Sequence, residues 1–382
     1  MCSSEAPSPE QTEPLRTGTG GRAFIGSLES IRGLAALAVA FFHSFLVLPV
    51  DGVRIYDRPL WELHSTDALL MRLIMVPFNG LAAVSLFFVL SGYVLSISLR
   101  RDERALVPKT LGFAGRRFLR IYPPLAVNLI LMTAVSAVLV KIFTGIPMAQ
   151  PTLEQLRTNL LLADFPVNGA TWTLLIEIVA VPFIIVGWLL RRRFGLAGSF
   201  LFLVLCLIPS FTSRFTGRMM FGGYLFMFAL GALVADLGES GIAPKRRKQA
   251  AFLCIAAAVL LFTARLLCGY RAKGSLRWEG IAAAILVLIL AHGPRLAIHR
   301  FLETAPLRFL GRISYSFYLY HPMTLAITAA FLQARIPDSE TAAHPFLWSA
   351  IIALASIPAA FLLGWAGYMF VEKPMVSVGR RI

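Results

Sequence analysis

Apolar residues in this chain gather into runs near the length that crosses a bilayer as a helix, about 20 residues, separated by short polar connections. Ten can be marked: Ser30 to Val50, Leu73 to Leu99, Pro124 to Ile146, Thr171 to Leu190, Leu196 to Ser213, Met219 to Leu237, Ala250 to Cys268, Trp278 to His292, Ile313 to Leu332 and Phe346 to Val371. In lipid every backbone N–H and C=O must be satisfied inside its own segment, so each run reads as a helix. The pattern predicts an all-α fold, a polytopic bundle of about ten transmembrane helices forming a single domain over residues 24–382. Residues 1–23 are rich in Ser, Pro, Gly, Thr and Glu and lack the basic start and apolar core of a signal peptide. They read as a disordered tail.

Composition narrows the class. Of 382 residues, 57% are hydrophobic and 15% charged, which leaves no soluble domain of ordinary size. The net charge of +16 does not point to nucleic acid, because the basic residues punctuate apolar runs and form no patch. Assigned alternately, the connections put most Lys and Arg on one side, with the densest cluster at Arg100 to Arg120. That side is cytoplasmic by the positive-inside rule, an even number of spans puts both termini there, and the expected location is the inner (plasma) membrane. The four cysteines have no metal-ligand spacing, so neither a metal nor a disulfide framework is expected.

Ionisable residues inside the runs carry the candidate chemistry, since burying them in lipid costs on the order of 2.5–3.5 kcal/mol each. Arg32 and His43 share the first run. An eleven-residue step leaves them about 20° apart on one helical stripe, offset by about 16 Å. Arg32 alone fits a snorkelling flank residue, and His43 alone fits a satisfied core histidine. His321 precedes Pro322, and a proline frees a backbone carbonyl that a polar neighbour can satisfy. Glu177 lies early in the fourth run, and Arg116, Arg117 and Arg120 precede the third. Arginines three or four apart share a helix face suited to phosphate, although on charge alone plain cytoplasmic anchoring is the more ordinary account.

Taken together, the blocks SLESIRGLAALAVAFF with His43, FFVLSGYVL (87–95), RRFLRIYPP (116–124), TWTLLIEI (171–178), SYSFYLYHP (314–322) and the closing Glu372 and Pro374 resemble the acyltransferase 3 family of integral membrane acyltransferases. The resemblance runs in order along almost the whole chain from residue 27. Thr173 stands where serine is common, and Tyr93 where phenylalanine is common.

The resemblance implies transfer of an acyl group, usually acetyl, from cytoplasmic acyl-coenzyme A to a hydroxyl of an exported polysaccharide or glycolipid. It matches Arg32 and His43 to the family's essential pair, Arg117 and Arg120 to its arginine motif, and Glu177 to its fourth-segment glutamate. His43 is then the candidate general base or the acceptor of the acyl group itself, and Arg32 the group beside the thioester. Arg116, Arg117 and Arg120 are the expected cofactor-binding residues, with Glu177 and His321 orienting His43 or the acceptor. The esterase-like extra domain that some members append is not expected here, and a soluble hand-over of the acyl group would then call for a separate periplasmic partner. The rival class is a transporter or flippase, which also places ionisable groups in spans; no inverted repeat supports it.

Overall fold

The computed structural model describes residues 26–50, 55, 60–211, 223–268 and 273–382. The expected tail over 1–23, the start of the sixth run and part of the Gly269 to Arg277 connection lie outside the described residues. The helices are α1 (Gly26–Ser44), α2 (Thr66–Ile74), α3 (Gly80–Arg101), α4 (Leu106–Ile142), α5 (Leu153–Leu160), α6 (Trp172–Phe194), α7 (Leu196–Phe211) and α8 (Leu225–Glu239). They continue as α9 (Arg247–Cys268), α10 (Lys273–His292), α11 (Ala297–Leu302), α12 (Ala305–Gln333), α13 (Asp338–Ala343), α14 (Pro345–Gly367) and α15 (Lys373–Gly379). One π-helical turn, Tyr368–Glu372, joins the last two. Among the described residues, six helices are long and apolar enough to cross a membrane: α3, α4, α6, α9, α10 and the continuous Pro345–Gly379.

Several boundaries differ from the hydropathy reading, α1 ending at Ser44 and α10 beginning at Lys273 among them, and three of the differences have a clear local reason. The run from Leu73 to Leu99 is two helices, because the Asn79 side chain accepts from Ala82 N–H and starts α3 afresh. The basic stretch before Pro124 is not a connection; α4 begins at Leu106 and runs through Pro123 and Pro124, so Arg116, Arg117 and Arg120 are helical. Likewise α12 begins at Ala305 behind Thr304, with a proline in its first turn, and takes in Arg308 and Arg312, which the hydropathy reading leaves in a loop. Apolarity ends before the helix does.

Helix α1 packs against α3 on one side and α12 on the other; α12 packs on α14, and α3 on α8. In lipid the association of helices rests on van der Waals packing more than on the hydrophobic effect, so small residues matter at the crossings. A Cβ on Gly33 would fall 2.6 Å from the backbone nitrogen of Gly311. The α1–α12 crossing is therefore backbone on backbone. Outward faces carry exposed apolar residues such as Phe118, Ile130, Phe252, Leu354 and Phe370, a surface suited to lipid.

Candidate active site

The local sequence around Pro322 determines the first part of the site. A proline inside a helix has no N–H for the carbonyl four residues back, which here is that of Tyr318. His321 fills the vacancy itself, its Nδ1 lying 2.6 Å from the Tyr318 oxygen. A carbonyl only accepts, so Nδ1 of His321 carries the proton and Nε2 is a bare acceptor. That nitrogen lies 2.8 Å from Nδ1 of His43, and the two rings are nearly coplanar, 11° apart. His43 must then donate through Nδ1, which leaves its Nε2 unprotonated. Among the described residues Nε2 makes no hydrogen bond. His321 is buried, whereas His43 is only half-buried. The arrangement can take a proton at one defined atom.

The close Gly33–Gly311 crossing brings α1 and α12 near enough for this contact and for a second one on the same stripe. Arg32 donates through Nε to Ser314 Oγ at 2.9 Å and through Nη2 to the Gly311 carbonyl at 3.1 Å. Arg32 and His43 are thus both received by α12, about 16 Å apart along the helix.

A cavity of about 900 Å³ opens beside this seam. It is lined by α1, α3, α4, α6, α12 and the π turn with α15. One part of its wall is apolar and aromatic, with Val84, Phe87, Phe88 and Tyr318. Elsewhere the wall is dense in charge: Arg32, Arg101, Arg117, Arg120, Arg308, Arg312, Lys373 and Arg380 against Glu29, Glu177 and Glu372. Neither imidazole lines the cavity. Tyr318 both lines the cavity and touches the pair: its ring meets Phe87 edge-on at 5.8 Å and His321 at 5.4 Å, and its hydroxyl donates to the Ala170 carbonyl at 3.0 Å.

The residues singled out from sequence therefore fall into separate groups. His43 and His321 form a pair. Glu177 is bonded to Arg117 and accepts from Ser91 Oγ at 3.3 Å; it does not touch His43. Arg120 lines the cavity, while Arg116 turns to Asp102 at 3.1 Å. Sequence reading missed Tyr318, Ser314, Glu372, Lys373 and Arg380 as lining or positioning groups, and it counted Arg308 and Arg312 only as loop charge. The four-residue spacing of those two arginines, behind Thr304 and a first-turn proline, was the available signal.

The chain matches the acyltransferase domain family over residues 25–365. Peptidoglycan O-acetyltransferase OatA of Listeria monocytogenes serovar 1/2a (strain ATCC BAA-679 / EGD-e) is 24% identical over 413 residues, taking in 95% of this chain and 58% of that protein. The chain thus spans less than two-thirds of the length of this relative. No solved structure matches. Since the family match extends over most of the sequence, in a helical membrane protein, the chain belongs to the acyltransferase 3 family.

Proposed function

We propose that this membrane acyltransferase moves an acyl group, acetyl in the first instance, from cytoplasmic acyl-coenzyme A to a hydroxyl of a cell-envelope polysaccharide or glycolipid. The observation that carries the reading is the bare Nε2 of His43, held in that tautomer by His321. The relative's name, a peptidoglycan O-acetyltransferase, supports the acceptor class. In this reading α1, α3, α4, α6, α7, α8, α9, α10, α12 and α14 are ten crossings of the inner membrane, with both termini in the cytoplasm. The excess of Lys and Arg on that side supports the orientation.

A neutral hydroxyl is a poor nucleophile, and an imidazole that presents an unprotonated ring nitrogen can relieve it of its proton as the new bond forms. The hydroxyl oxygen attacks the thioester carbonyl as its proton passes to His43 Nε2. The carbon–sulfur bond then breaks, and the leaving thiolate takes that proton, giving an ester and free coenzyme A. Throughout, His43 Nδ1–H donates to His321 Nε2, which favours the charged form of His43 at the moment it appears.

An offset of about 16 Å along α1 separates Arg32 from His43, so Arg32 does not hold the carbonyl reacting at His43. It anchors the body of the donor. Its Nη1 makes no hydrogen bond among the described residues, and it lines the cavity. Arg120 serves the same end, and the Arg117–Glu177 pair fixes the wall between α4 and α6. Passage of the acyl group to His43 requires the Tyr318 and Phe87 rings to part.

The test is transfer of label from acetyl-coenzyme A into polysaccharide and lipid fractions, in membranes holding wild type or equally expressed His43→Ala. Label with the first and none with the second is the expected result. Equal labelling removes His43 from the chemistry. No labelling by either overturns the reading in favour of a transporter or flippase.

A further inference from the structure

The α4 arginines contribute little free charge to the cavity. Arg117 is neutralised by Glu177, and Arg116 is turned to Asp102, which it shares with Arg104, and does not line the cavity, which leaves Arg120. The unspent charge lies on two other helices. Arg308 and Arg312, four residues apart, share one face of α12 and both line the cavity. Across from them α15 presents Lys373, Ser377 and Arg380, a one-sided stripe at steps of four and three. Among the described residues none of these four cations forms an ion pair; Arg312 lies 5.6 Å over the Phe309 ring, and the one carboxylate of Glu29 on α1 is within electrostatic reach of Arg308, Arg312 and Arg32 together, too little to offset them. Like charges at such spacing repel one another and destabilise the empty site, so the mouth is complementary to a polyanion.

Shape agrees with charge. Along α3 the lining runs from Val84 to Arg101, about 26 Å at 1.5 Å per residue. Phe87 and Tyr318 stand toward the imidazole pair at the apolar end, and Arg101 marks the charged one. A ligand that is apolar at one end and multiply phosphorylated at the other fills this cavity in one direction only.

We infer that Arg308 and Arg312 of α12, with Lys373 and Arg380 of α15, hold the phosphates at the nucleotide end of the donor, an assignment that rests on the proposed use of acyl-coenzyme A. Guanidinium groups bind phosphate oxygens through forked, charge-assisted hydrogen bonds, and ammonium adds a point charge. The thioester end is thereby aimed at Tyr318.

The experiment compares two donors, acetyl-coenzyme A and acetyl-pantetheine, which has the thioester but no nucleotide, using membranes with the full chain. The variants are Arg308→Ala with Arg312→Ala and, on the other helix, Lys373→Ala with Arg380→Ala. Arg335→Ala, an exposed cation at the far end of α12, is the control. Expected is a rise in KM for acetyl-coenzyme A relative to acetyl-pantetheine on the order of 10- to 100-fold in either double variant, with no change in that ratio in the control. Inhibition by adenosine 3′,5′-bisphosphate is expected to be weaker in both double variants than in wild type. A KM ratio that stays constant in both double variants, with wild type active, overturns the phosphate site alone. If wild type uses neither donor, the acyl-coenzyme A reading falls and the site with it. Loss of protein from one double variant leaves the other, on a separate helix, to decide.

Discussion

His43 of α1 and His321 of α12, far apart in the chain, meet nitrogen to nitrogen at 2.8 Å, with the proton of the contact on His43. Removing His43 is expected to cost about 10²- to 10⁴-fold in turnover, the range for a general base. His321→Ala removes only the acceptor for a charged donor, so a loss of about 10- to 100-fold is expected. His321→Gln, whose amide oxygen can accept from His43, should recover part of it. Initial rates over the three variants check the order; a His321→Ala enzyme as fast as wild type contradicts the pairing.

Pro322 should trade stability for chemistry. In Pro322→Ala the new N–H competes with His321 for the Tyr318 carbonyl, which returns that imidazole to a mixture of tautomers. A proline in a helix interior costs about 3 kcal/mol, so the variant is expected to melt higher while turning over several-fold more slowly, with KM unchanged. Thermal melting in detergent and steady-state kinetics give both signs. Nitrogen NMR of labelled histidine reads the tautomer directly.

The Arg117–Glu177 pair predicts non-additivity. Both side chains are largely buried, 10% and 18% exposed. Breaking one partner of a buried pair leaves an uncompensated charge and costs on the order of 3 kcal/mol, whereas removing both is much milder. Glu177→Gln and Arg117→Gln should each lower the melting temperature, and the double variant should lie above the lower of the two. Strict additivity in that cycle excludes a coupled pair.

Asp102, at the turn from α3 to α4, predicts a pH signature. Hydrogen bonds from Arg104 first, at 2.7 Å, and from Arg116 hold its carboxyl well below the usual aspartate range. A pKa lowered by folding gives stability that is complete above the unfolded value, about 3.9, and is lost as the pH falls through the folded one. Asp102→Asn should therefore melt below wild type at neutral pH, with a gap that is constant above about pH 5 and closes in acid. A gap that widens in acid has the wrong sign for this account.

Much of this was legible in the sequence because lipid makes local rules strict. A cation and an imidazole eleven positions apart in an apolar run must share a stripe, and α1 puts them there. Pro322 announces a free carbonyl, and Tyr318 provides it. What sequence did not give was partnership across the bundle. Nothing local says that His43 meets His321 or that Arg117 meets Glu177, because those contacts depend on a crossing set by Gly33 and Gly311 and on the depth to which α4 runs. Hydropathy also hid Arg308 and Arg312, since charge lowers a window average without ending a helix. Their role belongs to geometry.

The wide turn at Tyr368–Glu372 acts on the end of the chain as a one-base insertion acts on a reading frame. Each residue of an α-helix advances about 100°, so one extra residue in a turn rotates everything after it by about that angle. Glu372, buried against Ser316 at 2.7 Å, closes the shifted turn. The frame in which Lys373, Ser377 and Arg380 face inward is the shifted one. Deleting a single residue from this turn would leave every side chain of α15 in place in the sequence and aim its cations at a different neighbour.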